Sequence, residues 1–159
     1  MNPQRKAQLA YRVAALFTRL PWPLLRGFAY SLAWLWIRLD ARESRVTRRN
    51  LELAHPELVA TERVRMHRQV LRSTALQTVE TLRLWTRPAA DNLREHLRER
   101  HGQALYDAAL ASGKGVIIAA PHFGNWELLN QWLASRGPVA IVYKPPADPA
   151  GDAFLQLAR

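Results

Sequence analysis

Two short runs of β-branched and small apolar residues, Val116-Ile117-Ile118-Ala119-Ala120 and Val139-Ala140-Ile141-Val142-Tyr143, bracket a stretch of helical character from about Asn125 to Ser135. No other feature constrains the fold of this chain as much. Ser112-Gly113-Lys114-Gly115 is a turn signal ahead of the first run, and Gly137-Pro138 stops the helix ahead of the second. Uninterrupted apolar runs of this length read as strands buried on both faces. Strand, helix and strand joined by short connections predict a βαβ unit, hence a parallel sheet and an α/β fold class.

The residues before this unit predict helices. Arg5, Lys6, Arg12 and Arg19 stand among Leu9, Tyr11, Val13, Leu16, Phe17 and Leu20, the pattern of a basic amphipathic helix over residues 1 to 20. Pro21-Trp22-Pro23 breaks it, and an apolar, Trp-rich stretch from Leu24 to Leu39 follows, with Arg26 and Arg38 as its internal charges. Its uninterrupted apolar run is shorter than the roughly 18 to 20 residues of a clean membrane span. Re-entrant, tilted, surface-embedded and crossing arrangements all stay open, as does a buried core helix. Aromatic residues near its ends and arginines able to snorkel fit a membrane interface better than water. These features make residues 1 to 40 a membrane-anchoring helical segment and residues 41 to 159 a second region.

Ala41 to Asn50 is densely basic, suited to binding phosphates or to facing water as a solvated helix surface. His55-Pro56 closes that segment, because the residue before proline is pushed out of helical geometry. Val64, Leu71, Ala75, Val79 and Leu82 recur at helical spacing and predict a long helix from about Thr61 to Thr86, ended by Arg87-Pro88. A shorter charged helix or turn and an Ala-rich helix around Ala104 to Leu110 are expected next.

The net charge of +10 lies wholly in residues 1 to 100, because Lys114, Arg136, Lys144 and Arg159 are cancelled by Asp107, Glu127, Asp148 and Asp152. Such an excess attracts nucleic acid, anionic lipid or an acidic carrier protein. The tryptophans cluster inside one apolar stretch, unlike the aromatics of an RNA-binding sheet or groove, so no nucleic-acid partner is expected. With no cysteine, disulfides, thiolate metal sites and a cysteine nucleophile are excluded, and the histidines show no zinc-ligand spacing. Neither a metal nor a cofactor is expected.

Pro121-His122-Phe123-Gly124-Asn125-Trp126-Glu127 joins the first run to the helix, at the edge where open α/β sheets bind ligands. Gly124 permits a tight turn, Asn125 suits the N-cap, and Glu127 falls in the first helical turn, where the helix dipole favours its charge. A carboxylate that holds one ring nitrogen of His122 makes the other a stronger base, able to deprotonate an alcohol. On the plainer alternative, Glu127 completes a helix N-terminus and His122 is a loop histidine. No Walker-type loop, dinucleotide fingerprint or nucleophile-elbow serine competes for the role.

The run Gly115 to Glu127 resembles the H-x-x-x-x-D/E block of the lysophospholipid acyltransferase superfamily. Its glutamate with Gly124-Asn125-Trp126 is similar to the late acyltransferases of lipid A biosynthesis, the lauroyl and myristoyl transferases of Gram-negative bacteria. Arg48-Arg49-Asn50-Leu51 followed by His55-Pro56-Glu57, Glu80 in the long helix, and Tyr143-Lys144-Pro145-Pro146 agree with that pattern. Two positions depart from it: the family usually has Phe-Pro-Glu where His55-Pro56-Glu57 stands, and arginine is common at Lys144, which as a point charge lacks bidentate recognition. The pattern also continues into an arginine-rich block, whose first arginine matches Arg159, so the chain is expected to be an N-terminal fragment.

The resemblance implies a glycerol-3-phosphate acyltransferase-like sheet behind the N-terminal helices, with His122 and Glu127 catalytic. Gly124, Asn125, Trp126, Tyr143, Lys144 and Arg159 are implied to bind substrate. The implied donor is a fatty acyl thioester on acyl carrier protein, and the acceptor is a hydroxyl on a 3-hydroxyacyl chain of a lipid A precursor. Inner-membrane phospholipids are further partners, with the catalytic part on the cytoplasmic face of the bacterial inner membrane. The same chemistry on another membrane glycolipid or lysophospholipid, and a non-catalytic basic membrane-binding protein, are the alternatives.

Overall fold

The computed structural model describes residues 2–121 and 123–158. Among these described residues eight helices run in the order α1 (Pro3–Phe17), α2 (Trp22–Arg38), α3 (Arg42–Ala54), α4 (Ala60–Thr86), α5 (Ala89–His96), α6 (Gln103–Ala111), α7 (Trp126–Arg136) and α8 (Pro149–Ala158). They form two compact units, one of Met1–Thr86 with Pro146–Arg159 and the other of Arg87–Pro145.

Local chemistry sets the helix ends of the first unit. Asn2 caps α1 by accepting from Gln4 N at 3.0 Å, and Pro3 occupies the first turn, where a missing N–H costs nothing. Pro23 does the same for α2. Asp40, in the left-handed region at φ 45°, ends α2, and its carboxylate receives Arg48 Nη2 at 2.6 Å while its carbonyl receives Arg45 Nη1.

The core of this unit is the seam between α2 and α4. Leu25, Ala29 and Ala33 on one helix meet Leu71, Ala75 and Val79 on the other, all essentially inaccessible to solvent. Both sets recur every four residues, one stripe per helix, and the three alanines let the backbones approach closely. Trp22, Leu32, Trp36 and Ile37 close the edges of the seam.

α3 joins α4 through a polar contact: His67 Nε2 lies 3.0 Å from the Ser44 carbonyl and 3.2 Å from its hydroxyl, both residues being buried. A carbonyl only accepts, so Nε2 carries the proton. α1 and α8 pack together, with Phe154 tilted against Tyr11 at 6.1 Å and edge-on to Trp85 at 6.0 Å. The Tyr11 hydroxyl donates to the Trp85 carbonyl at 3.1 Å.

In the second unit α5 and α7 are tied by Asn92, buried, whose Nδ2 donates to Gln131 Oε1 at 3.0 Å. The Tyr106 and Trp132 rings lie 5.1 Å apart, and Arg136 pairs with Asp107 at 2.9 Å, which fixes α6 against α7.

The expected α/β class is overturned. The regular structure of the described residues is all helical, and neither 116–120 nor 139–143 forms a strand. Among the described residues the start of a βαβ acyltransferase sheet is therefore absent. Its helix forms as α7, but the flanking runs carry no regular structure, and Ile117 and Val142 are fully exposed. The physical reason is that a strand, unlike a helix, finds its hydrogen bonds on neighbours. Two short runs supply too few for a stable sheet, and β-propensity without partners to pack against counts for little. The crossing arrangement is also corrected: no described helix is long and apolar enough to cross a membrane.

Candidate functional site

The turn before α7 holds the residues singled out for chemistry. Phe123 N donates to the Pro121 carbonyl at 2.8 Å, and Gly124 follows at φ 62°. A Cβ on Gly124 would meet nothing within 4 Å, so the backbone conformation, and not crowding, selects glycine there. Asn125 occupies the N-cap position as expected, with its carbonyl receiving Leu128 N at 3.2 Å. Its side chain makes no capping bond, and Oδ1 is buried without a hydrogen-bond partner among the described residues.

Glu127 sits in the first turn of α7 with only 3% of its surface exposed. A carboxylate so placed needs compensation. Asn130, one turn on, provides part of it by donating Nδ2 to Oε2 at 3.4 Å, and the N-terminal end of the helix dipole favours the negative charge. The sequence reading missed Asn130, although its position three residues after Glu127 places it on the same helix face.

His122 and Arg159 lie outside the described residues. Trp126 is partly buried at the first position of α7, whereas Tyr143 and Lys144 are exposed in the irregular segment after it. Glu80, on α4, belongs to the other compact unit. The structure thus brings Gly124, Asn125, Trp126 and Glu127 together on one turn and leaves Tyr143 and Lys144 on a separate segment.

A cavity of about 600 Å³ opens in the second unit, walled mainly by apolar side chains of α6, of the 116–119 run, and of α7 through Leu129, Trp132 and Leu133. Ile118 and Ala119 in its wall immediately precede the turn in sequence. Among the described residues no cluster of His, Asp and Glu side chains is arranged to hold a metal ion.

The family model for the bacterial lipid A biosynthesis acyltransferases matches residues 5–153. The chain belongs to that family. Two lipid A acyltransferase relatives match over most of its length. A lipid A biosynthesis acyltransferase of Haemophilus influenzae is 29% identical over 135 residues, 84% of this chain and 42% of that protein. The lipid A biosynthesis lauroyltransferase of Escherichia coli is 27% identical over 151 residues, 91% and 46% of the two. A shorter match, 53% identical over 30 residues, 19% of this chain and 10% of that protein, joins it to a phosphatidylinositol mannoside acyltransferase of Mycobacterium tuberculosis. This lipid A acyltransferase family member spans less than half the length of the first two relatives. No solved structure matches.

Proposed function

We propose that the protein transfers a fatty acyl chain from acyl carrier protein to a hydroxyl on a 3-hydroxyacyl chain of a lipid A precursor, at the cytoplasmic face of the bacterial inner membrane. The observation that carries this reading is the family match across residues 5–153, which includes the turn that seats Glu127, buried, at the head of α7. In the proposed step His122 takes the acceptor's proton, its oxygen bonds to the thioester carbonyl carbon, and the carbon–sulfur bond breaks. The imidazolium returns the proton to the leaving thiolate, so no acyl-enzyme is needed. Glu127 holds the imidazole and stabilises its charged form. Gly124 and Asn125, at the head of α7, bind substrate together with Trp126, Tyr143, Lys144 and Arg159.

A second acceptor class has one specific support, the 30-residue match to an acyltransferase of a mannosylated inositol lipid. Mass spectrometry of lipids from cells with and without the gene separates the two. Loss of one acyl chain from lipid A is the expected result, whereas an unchanged lipid A beside an altered glycolipid would move the reaction to that lipid.

A further inference from the structure

The buried carboxylate at the head of α7 is held from within its own helix. Glu127 stands at the second position of α7, and Asn130, half-buried one turn on, donates Nδ2 to its Oε2 at 3.4 Å. Residues three apart share a helix face, so the amide reaches the carboxylate from its regular backbone position. The contact is long, as hydrogen bonds in an active site commonly are before substrate arrives. The turn that carries Asn130 is itself tied down. Its neighbour Gln131 accepts from Nδ2 of Asn92, a residue of α5 wholly inaccessible to solvent, at 3.0 Å. The Trp132 ring lies 5.1 Å from that of Tyr106 on α6, and Leu133 is buried. Residues 131 to 133 thus hold α7 to α5 and α6, and the amide of Asn130 is presented from a fixed stretch of backbone.

The last torsion of a glutamate side chain is broad, so an unheld carboxylate turns easily about it. Both oxygens turn together, and a donor on one of them therefore decides where the other points. We propose that Asn130 is a positioning residue for Glu127: by holding Oε2 it sets the plane of the carboxylate and directs Oε1 to the imidazole of His122. This rests on the roles given to His122 and Glu127 above, and it adds a residue that lies outside the Pro121 to Glu127 run. Asn130 acts through Glu127 and touches neither the acceptor nor the thioester. Orientation of this kind is spent at the chemical step, so its loss falls on kcat and spares KM.

The test uses the full-length protein, an acyl carrier protein thioester and whichever acceptor the lipid comparison selects. Asn130→Leu keeps the size of the side chain and removes the donor. It is expected to lower kcat about tenfold, as the loss of one hydrogen bond to a charged group does, and to leave KM within about twofold. Asn130→Ala carries the same expectation should leucine crowd the half-buried site. Asn130→Gln keeps an amide one methylene further out and should recover part of the loss. The deciding measurement is Asn130→Leu in the Glu127→Gln protein, where kcat should change by less than about twofold, because residues that act through one another do not lose additively. Equal losses in both backgrounds would make Asn130 a structural residue, and a raised KM at constant kcat would make it a substrate contact; either overturns the inference. A slow Glu127→Gln protein beside an Asn130→Leu protein as fast as wild type removes the inference alone. A Glu127→Gln protein as fast as wild type removes the proposed role of Glu127, and the inference with it.

Discussion

At residue 124 the backbone adopts a conformation that L side chains reach only at a cost. Gly124→Ala should lower stability by about 1 to 2 kcal/mol, the strain of a left-handed residue with a Cβ, although nothing crowds the position. Urea unfolding measures it; an unchanged midpoint would mean that the turn relaxes freely. Glu57 supplies a prediction about pH. Its carboxyl is held below the ordinary carboxylate range by its own backbone N–H and by the hydrogen bond from His55 at 3.1 Å. A depressed carboxyl pKa favours the folded turn above the unfolded value of about 4.3 and loses that preference as pH falls through the folded value. An NMR titration of the Glu57 carboxyl should therefore show a midpoint below that of a free glutamate, and His55→Ala should move it upward. The sequence placed Glu127 in the first turn of its helix correctly, since Gly124-Asn125 marks the start. It passed over His67, which lies four residues before Leu71 and completes the buried row of α4, because apolar periodicity points to Val64 instead, and Val64 is exposed.

Among the elements, the ends of the first four helices were legible where proline set them. Pro21 and Pro23, Pro56 and Pro88 each fall at a boundary between observed helices, and the long helix expected from Thr61 to Thr86 appears as Ala60–Thr86. α8 was not foreseen, although Asp148-Pro149 is a strong start signal. Asp148 accepts from Ala150 N at 3.3 Å and Gly151 N at 3.0 Å, with proline in the first turn. The strands failed for the opposite reason. A helix start is written in neighbouring residues, whereas a strand is made by whatever lies beside it. The α2–α4 seam carries the element-scale prediction. Leu71→Ala should cost about 2 to 5 kcal/mol, while Leu53→Ala, at an exposed position on α3, should cost under about 0.5. Similar losses at both sites, measured by denaturant midpoint, would show that the seam is not the core of its unit.

For the whole molecule, family membership rests on residues 5–153, while the two compact units divide the chemistry between them: the basic helices lie in one and the Gly124–Glu127 turn in the other. The proposal that His122 and Glu127 act as one catalytic unit is the central claim, and it has a direct kinetic test. In the full-length protein, with an acyl carrier protein thioester and a lipid A precursor, His122→Ala should lower kcat/KM by roughly 10² to 10⁴. Glu127→Gln should lower it mainly through kcat, and the double variant should be little worse than His122→Ala alone. Losses that multiply, or a His122→Ala protein as active as wild type, would contradict the account.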